Sequence, residues 1–262
     1  MRSSSLKLTK KDLEKVFNDK YGLDSAAMGW GPRIRSHFGY FTPDDYYEAT
    51  VSRSLTAGCS WLDVGSGRNV FPSNRKLARL LAQRCGLLVG LDPDGTIDEN
   101  DLVHERVKTS IEGYHTERIF DVVTMRMVAE HVVDPEGAVA ALAQLTKPGS
   151  QVIVYTINRW SPVPLITFLI PFRFHHLPKR LLWGSNQKDT FPVAYRMNTR
   201  GALARVFSKH GFRESEFAYL DDCRTFTAFR TLLILELCLW RSLHFLGLRY
   251  PENCLLGVYQ RV

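Results

Sequence analysis

Trp61-Leu-Asp-Val-Gly-Ser-Gly-Arg-Asn69 decides the fold, because it joins an apolar strand to an acidic residue and a turn with two glycines. Gly65 and Gly67 lack a Cβ atom, so the backbone can turn sharply and a ligand can reach its amides. Leucines then recur at helical spacing, and the N-terminus of a helix favours a negatively charged group. The stretch predicts a nucleotide-cofactor loop, with Asp63 placed to receive a hydrogen-bond donor or a cation.

A second acidic residue follows a second predicted strand. Leu87-Leu-Val-Gly-Leu91 is an apolar run that ends directly before Asp92. An α/β nucleotide fold places a carboxylate at this point, where it binds the hydroxyl groups of the ribose. The two segments together favour a nucleotide site more strongly than either does alone.

Two other interpretations of the glycine turn stay open. The dinucleotide fingerprint Gly-x-Gly-x-x-Gly needs a small third residue for close packing of helix on strand, and Val70 occupies that position. Asp63, two residues before the first glycine, is not part of that fingerprint either. A nicotinamide or flavin site and a glycine turn with no ligand are therefore the weaker alternatives.

Five motifs in a fixed order carry a family resemblance over roughly residues 45–160. They are Leu62-Asp-Val-Gly-Ser-Gly67, Val89-Gly-Leu-Asp-Pro93, Phe120-Asp-Val-Val123, Glu130-His-Val-Val-Asp-Pro135 and Leu145-Thr-Lys-Pro-Gly-Ser-Gln-Val-Ile-Val154. In this order they resemble the class I, or seven-strand, S-adenosylmethionine-dependent methyltransferases, nearest to the quinone-biosynthesis (type 11) small-molecule branch. The resemblance implies an α/β, Rossmann-like sheet of seven mostly parallel strands with helices on both faces.

The resemblance also implies a cofactor, S-adenosyl-L-methionine, which leaves as S-adenosyl-L-homocysteine. By position, its methionine end would lie on Asp63, Gly65, Ser66 and Gly67, its ribose on Asp92 beside Pro93, its adenine against Ser110 and Ile111, and its sulfonium near Met125. Relatives usually have an acidic residue where this chain has Ser110. Arg126 is unexpected beside a cation, so we expect it to point toward the substrate or away from the pocket.

Methyl transfer to an oxygen atom of high pKa needs a base. His131 is the main candidate, because it follows the fourth core strand at the ligand-bearing end of the sheet and histidine is the side chain that most often acts as a general base. Glu130 and Tyr195 are further catalytic candidates, and Arg126 and Arg196 are candidates for substrate binding. His131 has an alternative role as a support for its loop.

We predict one methyltransferase domain in four parts. Residues 1–57 form an N-terminal helical cap with helices over 10–20 and 43–56. Residues 58–157 form the cofactor-binding core, with strands near 60–64, 87–91, 120–124 and 151–157, the last entered through a turn at Pro148-Gly149. Residues 158–205 form a lid-like insertion after the fifth strand. Residues 206–262 carry the reversed edge, Phe212 to Leu220 and Leu255 to Val262, with an apolar helix inserted between the two strands.

The insertion is rich in apolar side chains, which predicts a lid over the pocket: Trp160, Pro162, Pro164, Phe168, Pro171, Phe172, Phe174 and Trp183. Polar residues in the same part of the chain are candidates for orienting a substrate, since binding pockets combine apolar walls with a few polar contacts: His175, His176, Asp189, Tyr195, Arg196 and Arg200. A helical insertion with solvated polar residues is an equal alternative.

The apolar stretch from Phe226 to Leu248 is not predicted to span a membrane, because Arg230, Glu236, Arg241 and His244 interrupt it. Its apolar residues form two helical faces, Phe226, Phe229, Leu233, Leu237 and Trp240 on one and Leu232, Leu235, Leu239 and Leu243 on the other. Burial between layers is the first interpretation. A homodimer contact is the second, and contact with an apolar substrate or a membrane surface is the third.

The chain has 262 residues and a net charge of +7, but its basic residues are scattered, so nucleic acid is not the expected partner. Five cysteines without a Cys-x-x-Cys pair predict neither a disulfide framework nor a metal site. The first residues show no apolar run of signal-peptide length, which predicts a cytoplasmic protein.

These patterns predict an enzyme that methylates a small molecule, with oxygen favoured over nitrogen or carbon as the acceptor atom and an acidic or partly apolar acceptor. Two alternatives remain. One is an RNA methyltransferase, although Thr124-Met-Arg-Met127 stands where methyltransferases of planar amino groups have Asn-Pro-Pro-Tyr. The other is a subunit that binds the cofactor and transfers nothing.

Overall fold

The computed structural model describes residues 6–24, 27–162 and 192–262, and these residues build a sheet of seven strands. The strands are β1 (Ser60–Val64), β2 (Leu87–Leu91), β3 (Glu105–Val107), β4 (Phe120–Arg126), β5 (Thr146–Ile157), β6 (Phe212–Asp221) and β7 (Glu252–Arg261). Their order in the sheet is β3-β2-β1-β4-β5-β7-β6. The first five pair in parallel, and β7 runs antiparallel to β5 and β6. The predicted mostly parallel sheet with a reversed edge is confirmed.

Helices cover both faces of this sheet. In the described part of the chain they are α1 (Lys10–Tyr21), α2 (Trp30–Phe38), α3 (Pro43–Ser54), α4 (Arg75–Arg84), α5 (Pro135–Gln144), α6 (Arg200–Lys209) and α7 (Arg230–Phe245), with a 3-10 helix at Gly95–Glu99. One core cluster joins α1, α3 and α4 to one face, and a second cluster joins α5 and α6 to the other. The helical cap therefore packs on the same sheet face as α4.

Alternation along β1 sends its side chains to opposite faces, as the two-residue period of a strand requires. Trp61 belongs to the cluster under α3 and α4, and Leu62 and Val64 belong to the cluster under α5 and α6. Asp63 is two residues after Trp61 and so lies on the same face of the sheet, where its carboxylate faces the cap helices. Helix α3 begins with a capping box in which the side chains of Thr42 and Asp45 each accept from the other's backbone.

The predicted boundaries need correction at β5, α6 and β7, and β7 starts at Glu252 instead of Leu255. Strand β5 starts at Thr146 instead of residue 151, so Pro148-Gly149 lies within it, where the β4–β5 register shifts between Phe120 and Val122. Helix α6 begins at Arg200 and packs on the core through Leu203 and Phe207, so the insertion ends before residue 205. Helix α2, the 3-10 helix and β3 were not predicted individually.

The predicted burial of both apolar faces of the 226–248 segment is wrong. Helix α7 buries Leu233 and Leu237 against Tyr40 and Cys223, while Leu235 is 64% exposed. Leu232 and Leu239 are exposed as well. One face therefore packs on the cap and the other faces outward, which leaves the dimer contact a prediction.

Most of the predicted lid lies outside the described residues, namely Pro164, Phe168, Pro171, Phe172, Phe174, His175, His176, Trp183 and Asp189. At its described beginning, Trp160 is 66% exposed. Across residues 6–24, 27–162 and 192–262, no helix has the length and apolar character needed to cross a membrane.

Candidate active site

The two predicted cofactor segments meet at the carboxyl edge of the sheet. Strands β1 and β2 pair in parallel up to Val64 and Leu91, so the glycine turn and Asp92 leave the sheet side by side. The Leu91 carbonyl accepts hydrogen bonds from the amides of Gly65 and Ser66 at 2.7 and 3.1 Å. This geometry is the loop and acid arrangement that the sequence predicts.

Asp92 connects the glycine turn to the loop after β2. Its Oδ2 accepts from the Gly67 amide at 2.9 Å, and its Oδ1 accepts from the Asp94 amide at 2.8 Å. A carboxylate offers about four acceptor positions, so both oxygens keep capacity for sugar hydroxyls. The Asp92 carboxylate therefore holds the loop through two backbone amides and still has lone pairs that could accept hydrogen bonds from a ligand.

The backbone at Gly65 and Gly67 is left-handed, with φ of +73° and +44°. A Cβ atom at Gly65 would lie 2.1 Å from Cγ2 of Val128, whereas one at Gly67 would approach no atom closer than Asp92 Oδ2 at 3.8 Å. Both positions favour glycine, but only Gly65 is also closed by a neighbouring side chain.

Gly65→Ala should lower the free energy of unfolding by about 2 kcal/mol, because a strained backbone of this kind costs 1–3 kcal/mol and Val128 must also move. Gly67→Ala is the matched control, and we expect a smaller loss of about 1 kcal/mol, since only the backbone is strained there. Urea denaturation of both variants measures the difference. Equal losses would contradict the close approach of Val128.

Asp63 is fully buried beneath the glycine turn. Its Oδ1 accepts from the Thr124 hydroxyl at 2.6 Å, and Thr124 in turn accepts from the Trp61 indole at 2.8 Å. Burial raises the pKa of Asp63 to about 7, although hydrogen bonds from Thr124 and Ser66 and the charge of Arg126 act to lower it. A buried carboxyl with a pKa near neutral favours a positively charged partner.

Asn100 holds the other side of the glycine turn, and the sequence did not single it out. Its side-chain nitrogen donates to Ser66 Oγ and to the Gly67 carbonyl, each at 3.1 Å, and its Oδ1 accepts from the Leu102 amide at 3.2 Å. Asn100 lies 33 residues beyond Gly67 in sequence, at the end of the 3-10 helix. No local pattern signals its contact.

Arg126, predicted to point to the substrate or away from the pocket, lies in a partly buried ion-pair network around the buried Asp44. Its Nη2 donates to Asp44 Oδ1 at 2.9 Å, and its guanidinium lies 5.9 Å from the centre of the Tyr155 ring. The other oxygen of Asp44 accepts from Arg224, which also forms a bidentate pair with Asp222 at 2.5 and 2.8 Å. Asp44 thus neutralises Arg126, which the sequence alone could not reveal.

The Asp44 carboxylate stays ionised at neutral pH. Burial acts to raise the pKa of Asp44, but the charges of Arg224 and Arg126 outweigh it and lower that pKa to about 2. The ring of Tyr155, which lies beside Arg126, stacks on that of Tyr47 with their centres 5.2 Å apart. Helix α3, β4, β5 and the loop after β6 are therefore joined at one corner of the ligand-bearing edge.

The predicted catalytic residues are brought together by contacts between two loops. The Glu130 carbonyl accepts from the amides of Ala194 and Tyr195 at 2.7 and 3.1 Å, and the His131 ring lies 3.1 Å from the Pro192 carbonyl through Nδ1. Tyr195 has a left-handed φ of +50°. The segment after the insertion is thus tied to the loop after β4.

Within this pair of loops, Glu130 is buried and Arg196 is exposed. Glu130 Oε2 accepts from the Thr156 hydroxyl at 2.7 Å, and burial raises the pKa of its carboxyl above the ordinary value. Arg196 donates to the Val133 carbonyl at 2.7 Å. These partners give both residues a role in holding the loops together.

The remaining predicted cofactor residues have varied environments. Met125 is fully buried among the residues under α5 and α6, so its side chain faces away from the cap side, where Asp63 lies. Ile111 belongs to the same cluster, and Ser110 and Pro93 are exposed. In the described part of the chain, no group of three metal-binding side chains occurs.

Comparison with known proteins identifies the family. A family profile described as "Methyltransferase domain" matches residues 43–214. "Ubiquinone biosynthesis O-methyltransferase" of Saccharophagus degradans is 33% identical over 117 residues, which are 41% of this chain and 47% of that protein. The protein of the same name from Yersinia pestis is 38% identical over 104 residues, 37% of this chain and 42% of that protein. The chain spans less than half the length of the curated relatives it matches.

A solved structure extends the likeness of the fold to nearly the whole chain. Magnesium protoporphyrin IX methyltransferase from Synechocystis PCC 6803 with bound S-adenosylhomocysteine superposes with a TM-score of 0.50, covering 96% of this chain and 94% of that one. Its sequence identity is 12%, so it supports the fold alone. Because the profile match extends over most of the chain, this protein belongs to the methyltransferase-domain family and has the class I fold of S-adenosylmethionine-dependent enzymes.

Proposed function

We propose that this chain transfers a methyl group from S-adenosyl-L-methionine to an oxygen atom of a small molecule that is acidic or partly apolar. The observation that carries the proposal is the hydrogen-bonded contact between the Gly65–Gly67 turn and Asp92 at the carboxyl edge of the sheet. The relatives named above, which are O-methyltransferases by name, support oxygen as the acceptor atom.

The chemistry of this edge fits the cofactor. The bare backbone at Gly67 leaves room for its amino-acid end, whereas Gly65 lies against Val128. Asp63 is a buried carboxyl without an ion-pair partner among the described residues. Asp92 would accept hydrogen bonds from the ribose hydroxyls. These residues are our proposed cofactor contacts, with Ser110 and Ile111 beside the adenine.

When bound, the cofactor supplies a methyl group already activated by the sulfonium, so the protein has to orient the acceptor and exclude water. We propose that His131 removes the proton from the acceptor oxygen, because its ring lies in the loop directly after β4. Glu130, through its carbonyl contacts with Ala194 and Tyr195, would hold the loop in which His131 lies. The Asp44–Arg126 pair would fix the adjoining corner.

Asp92→Ala should weaken binding of S-adenosylmethionine by about 2 kcal/mol, or roughly 30-fold, because a hydrogen bond to a charged acceptor has this size. Asp98→Ala is the control, since it removes the same charge from an exposed position in the adjacent 3-10 helix. Calorimetric titration of the two variants separates a direct contact from a general charge effect. Unchanged affinity in Asp92→Ala would remove this residue from the site.

The reaction itself is tested with cofactor labelled in its methyl group and a panel of phenolic and carboxylic acceptors. Labelled ether or ester products support the proposal. Binding of cofactor without any labelled product would favour a non-catalytic subunit. Labelled RNA, with affinity that falls steeply as salt rises, would favour an RNA methyltransferase instead.

The charge distribution gives a reason to place RNA second. Several exposed basic residues already pair with acidic neighbours: Arg68 with Glu99, Arg75 with Asp101, Arg118 with Glu105, and Lys147 with Asp121. Such pairs reduce the positive field that phosphate groups would meet. The net charge of +7 is therefore a weaker signal for nucleic acid than the sequence alone suggests.

A further inference from the structure

Below the glycine turn, Trp61, Thr124 and Asp63 form a hydrogen-bonded chain in which the position of each proton can be deduced. The Trp61 indole nitrogen is only a donor, and it lies 2.8 Å from Thr124 Oγ1. The threonine oxygen must therefore accept this bond. Its single proton is then free to point elsewhere.

Two acceptors lie within reach of that proton, and one of them is much closer. Asp63 Oδ1 is 2.6 Å from Thr124 Oγ1, whereas the Leu62 carbonyl oxygen is 3.4 Å away. A separation of 2.6 Å is in the range of a hydroxyl that donates to a charged carboxylate. The Trp61 indole therefore makes the Thr124 hydroxyl a donor to Asp63.

Ser66 repeats this arrangement from the glycine turn. Its oxygen lies 3.1 Å from the Asn100 amide nitrogen, whose orientation is set by the Leu102 amide bonding to Asn100 Oδ1. The Ser66 proton is then free to point toward Asp63, and the Ser66 hydroxyl acts to lower the pKa of that carboxyl. Two hydroxyl groups, each oriented by a nitrogen donor, thus favour Asp63 as an acceptor.

The other charged and titratable groups facing Asp63 act on its pKa in opposite directions. Arg126 from β4 favours the ionised carboxylate, and Asp92 from the end of β2 opposes it. Tyr47 from α3 is neutral, because burial and the nearby Asp63 raise its pKa well above the ordinary value. Without the cofactor, burial raises the pKa of Asp63 to about 7, so this carboxyl is partly protonated at neutral pH.

We propose that Trp61 and Thr124 are positioning residues, which hold the Asp63 carboxylate as an acceptor for the positively charged amino-acid end of the cofactor. This inference rests on the proposed function of the site. Since Asp63 is partly protonated before the cation arrives, binding of the cofactor should release a proton to solvent near neutral pH. Trp61 and Thr124 need not touch the cofactor to act in this way.

The direct test follows the Asp63 carboxyl by ¹³C NMR during a pH titration of the protein without cofactor, with Asp63→Asn to assign the signal. Thr124→Val removes the hydroxyl at nearly constant shape, and we expect the titration midpoint of Asp63 to rise by about one pH unit. Thr124→Ser, which keeps the hydroxyl, should leave the midpoint close to that of the unchanged protein. Trp61→Phe removes the orienting N–H together with part of a buried ring, and we expect a smaller rise.

A second readout is proton release, measured by calorimetry of cofactor binding in buffers of different ionisation enthalpy. We expect release near pH 7 in the unchanged protein and its loss in Asp63→Asn. An unchanged midpoint in Thr124→Val, or the same rise in Thr124→Ser, would overturn the positioning role. Absence of cofactor binding in the unchanged protein would instead defeat the proposed function, since the titration without cofactor does not depend on it.

Discussion

Asp44→Ala should lower the free energy of unfolding by about 2–3 kcal/mol, because it removes a buried carboxylate from two partly exposed guanidinium groups. Asp44 joins Arg126 and Arg224, and its side chain is only 9% exposed. Replacement by alanine would leave Arg126 with no described acidic partner and Arg224 with Asp222 alone. The loss should appear as a lower urea midpoint with little change in slope.

The same pair predicts a pH dependence. The pKa of Asp44 is about 2 in the folded protein, below its ordinary value of 3.8. Its ionised form therefore contributes about 2 kcal/mol above pH 4, and this contribution is lost as the pH falls through about 2. Asp44→Ala should flatten the stability profile in that window.

An exposed ion pair provides the control for Asp44. Lys10 and Glu14 in α1 lie 3.2 Å apart, with 76% and 47% of their side chains exposed. Glu14→Ala should change stability by less than about 0.5 kcal/mol, as is usual for solvated pairs. If Asp44→Ala cost no more than Glu14→Ala, the ion-pair network would not hold α3 to the sheet.

His131→Ala should reduce kcat about 100-fold or more, because a positioned general base contributes a factor of 10²–10⁴. The affinity for S-adenosylmethionine should stay within about twofold, since the proposed cofactor contacts lie at Asp63, the glycine turn and Asp92. Single-turnover transfer of a labelled methyl group measures the chemical step, and calorimetry measures the affinity. The expected signature is a loss of kcat with intact binding.

The control for His131 is an exposed histidine away from this loop. His115→Ala should leave both kcat and affinity unchanged, because His115 is exposed in the segment between β3 and β4. If His131→Ala retained full kcat with acceptors of high pKa, His131 would only support its loop. Loss of the fold in His131→Ala, detected by circular dichroism, would count for that supporting role as well.

The sequence predicts the fold well where an element is specified by neighbouring residues. Strands β1 and β2 are short apolar runs, each followed directly by a residue of the proposed cofactor site, and their bounds match the predicted ones. Helices α1 and α3 begin at Lys10 and Pro43, as predicted, and each has a capping box at its start. The meeting of the glycine turn with Asp92 then follows from the parallel pairing of the two strands.

The parts that could not be predicted depend on contacts between distant residues. Asp44 precedes Arg126 by 82 residues and Arg224 by 180 residues, so no spacing reveals the network. Val128 closes over Gly65 only because two loops meet there. The two faces of α7 look alike in sequence, and only its docking on Tyr40 and Cys223 decides which one is buried.

The central claim is that S-adenosylmethionine binds across the carboxyl edge of the sheet, with Asp63 beneath its amino-acid end and Asp92 at its ribose. Isothermal titration calorimetry of the purified protein with S-adenosylmethionine and with S-adenosylhomocysteine tests it most directly. We predict one binding site per chain for each compound, weakened in Asp92→Ala. No heat of binding with either compound, from a protein that is folded by circular dichroism, would contradict the account.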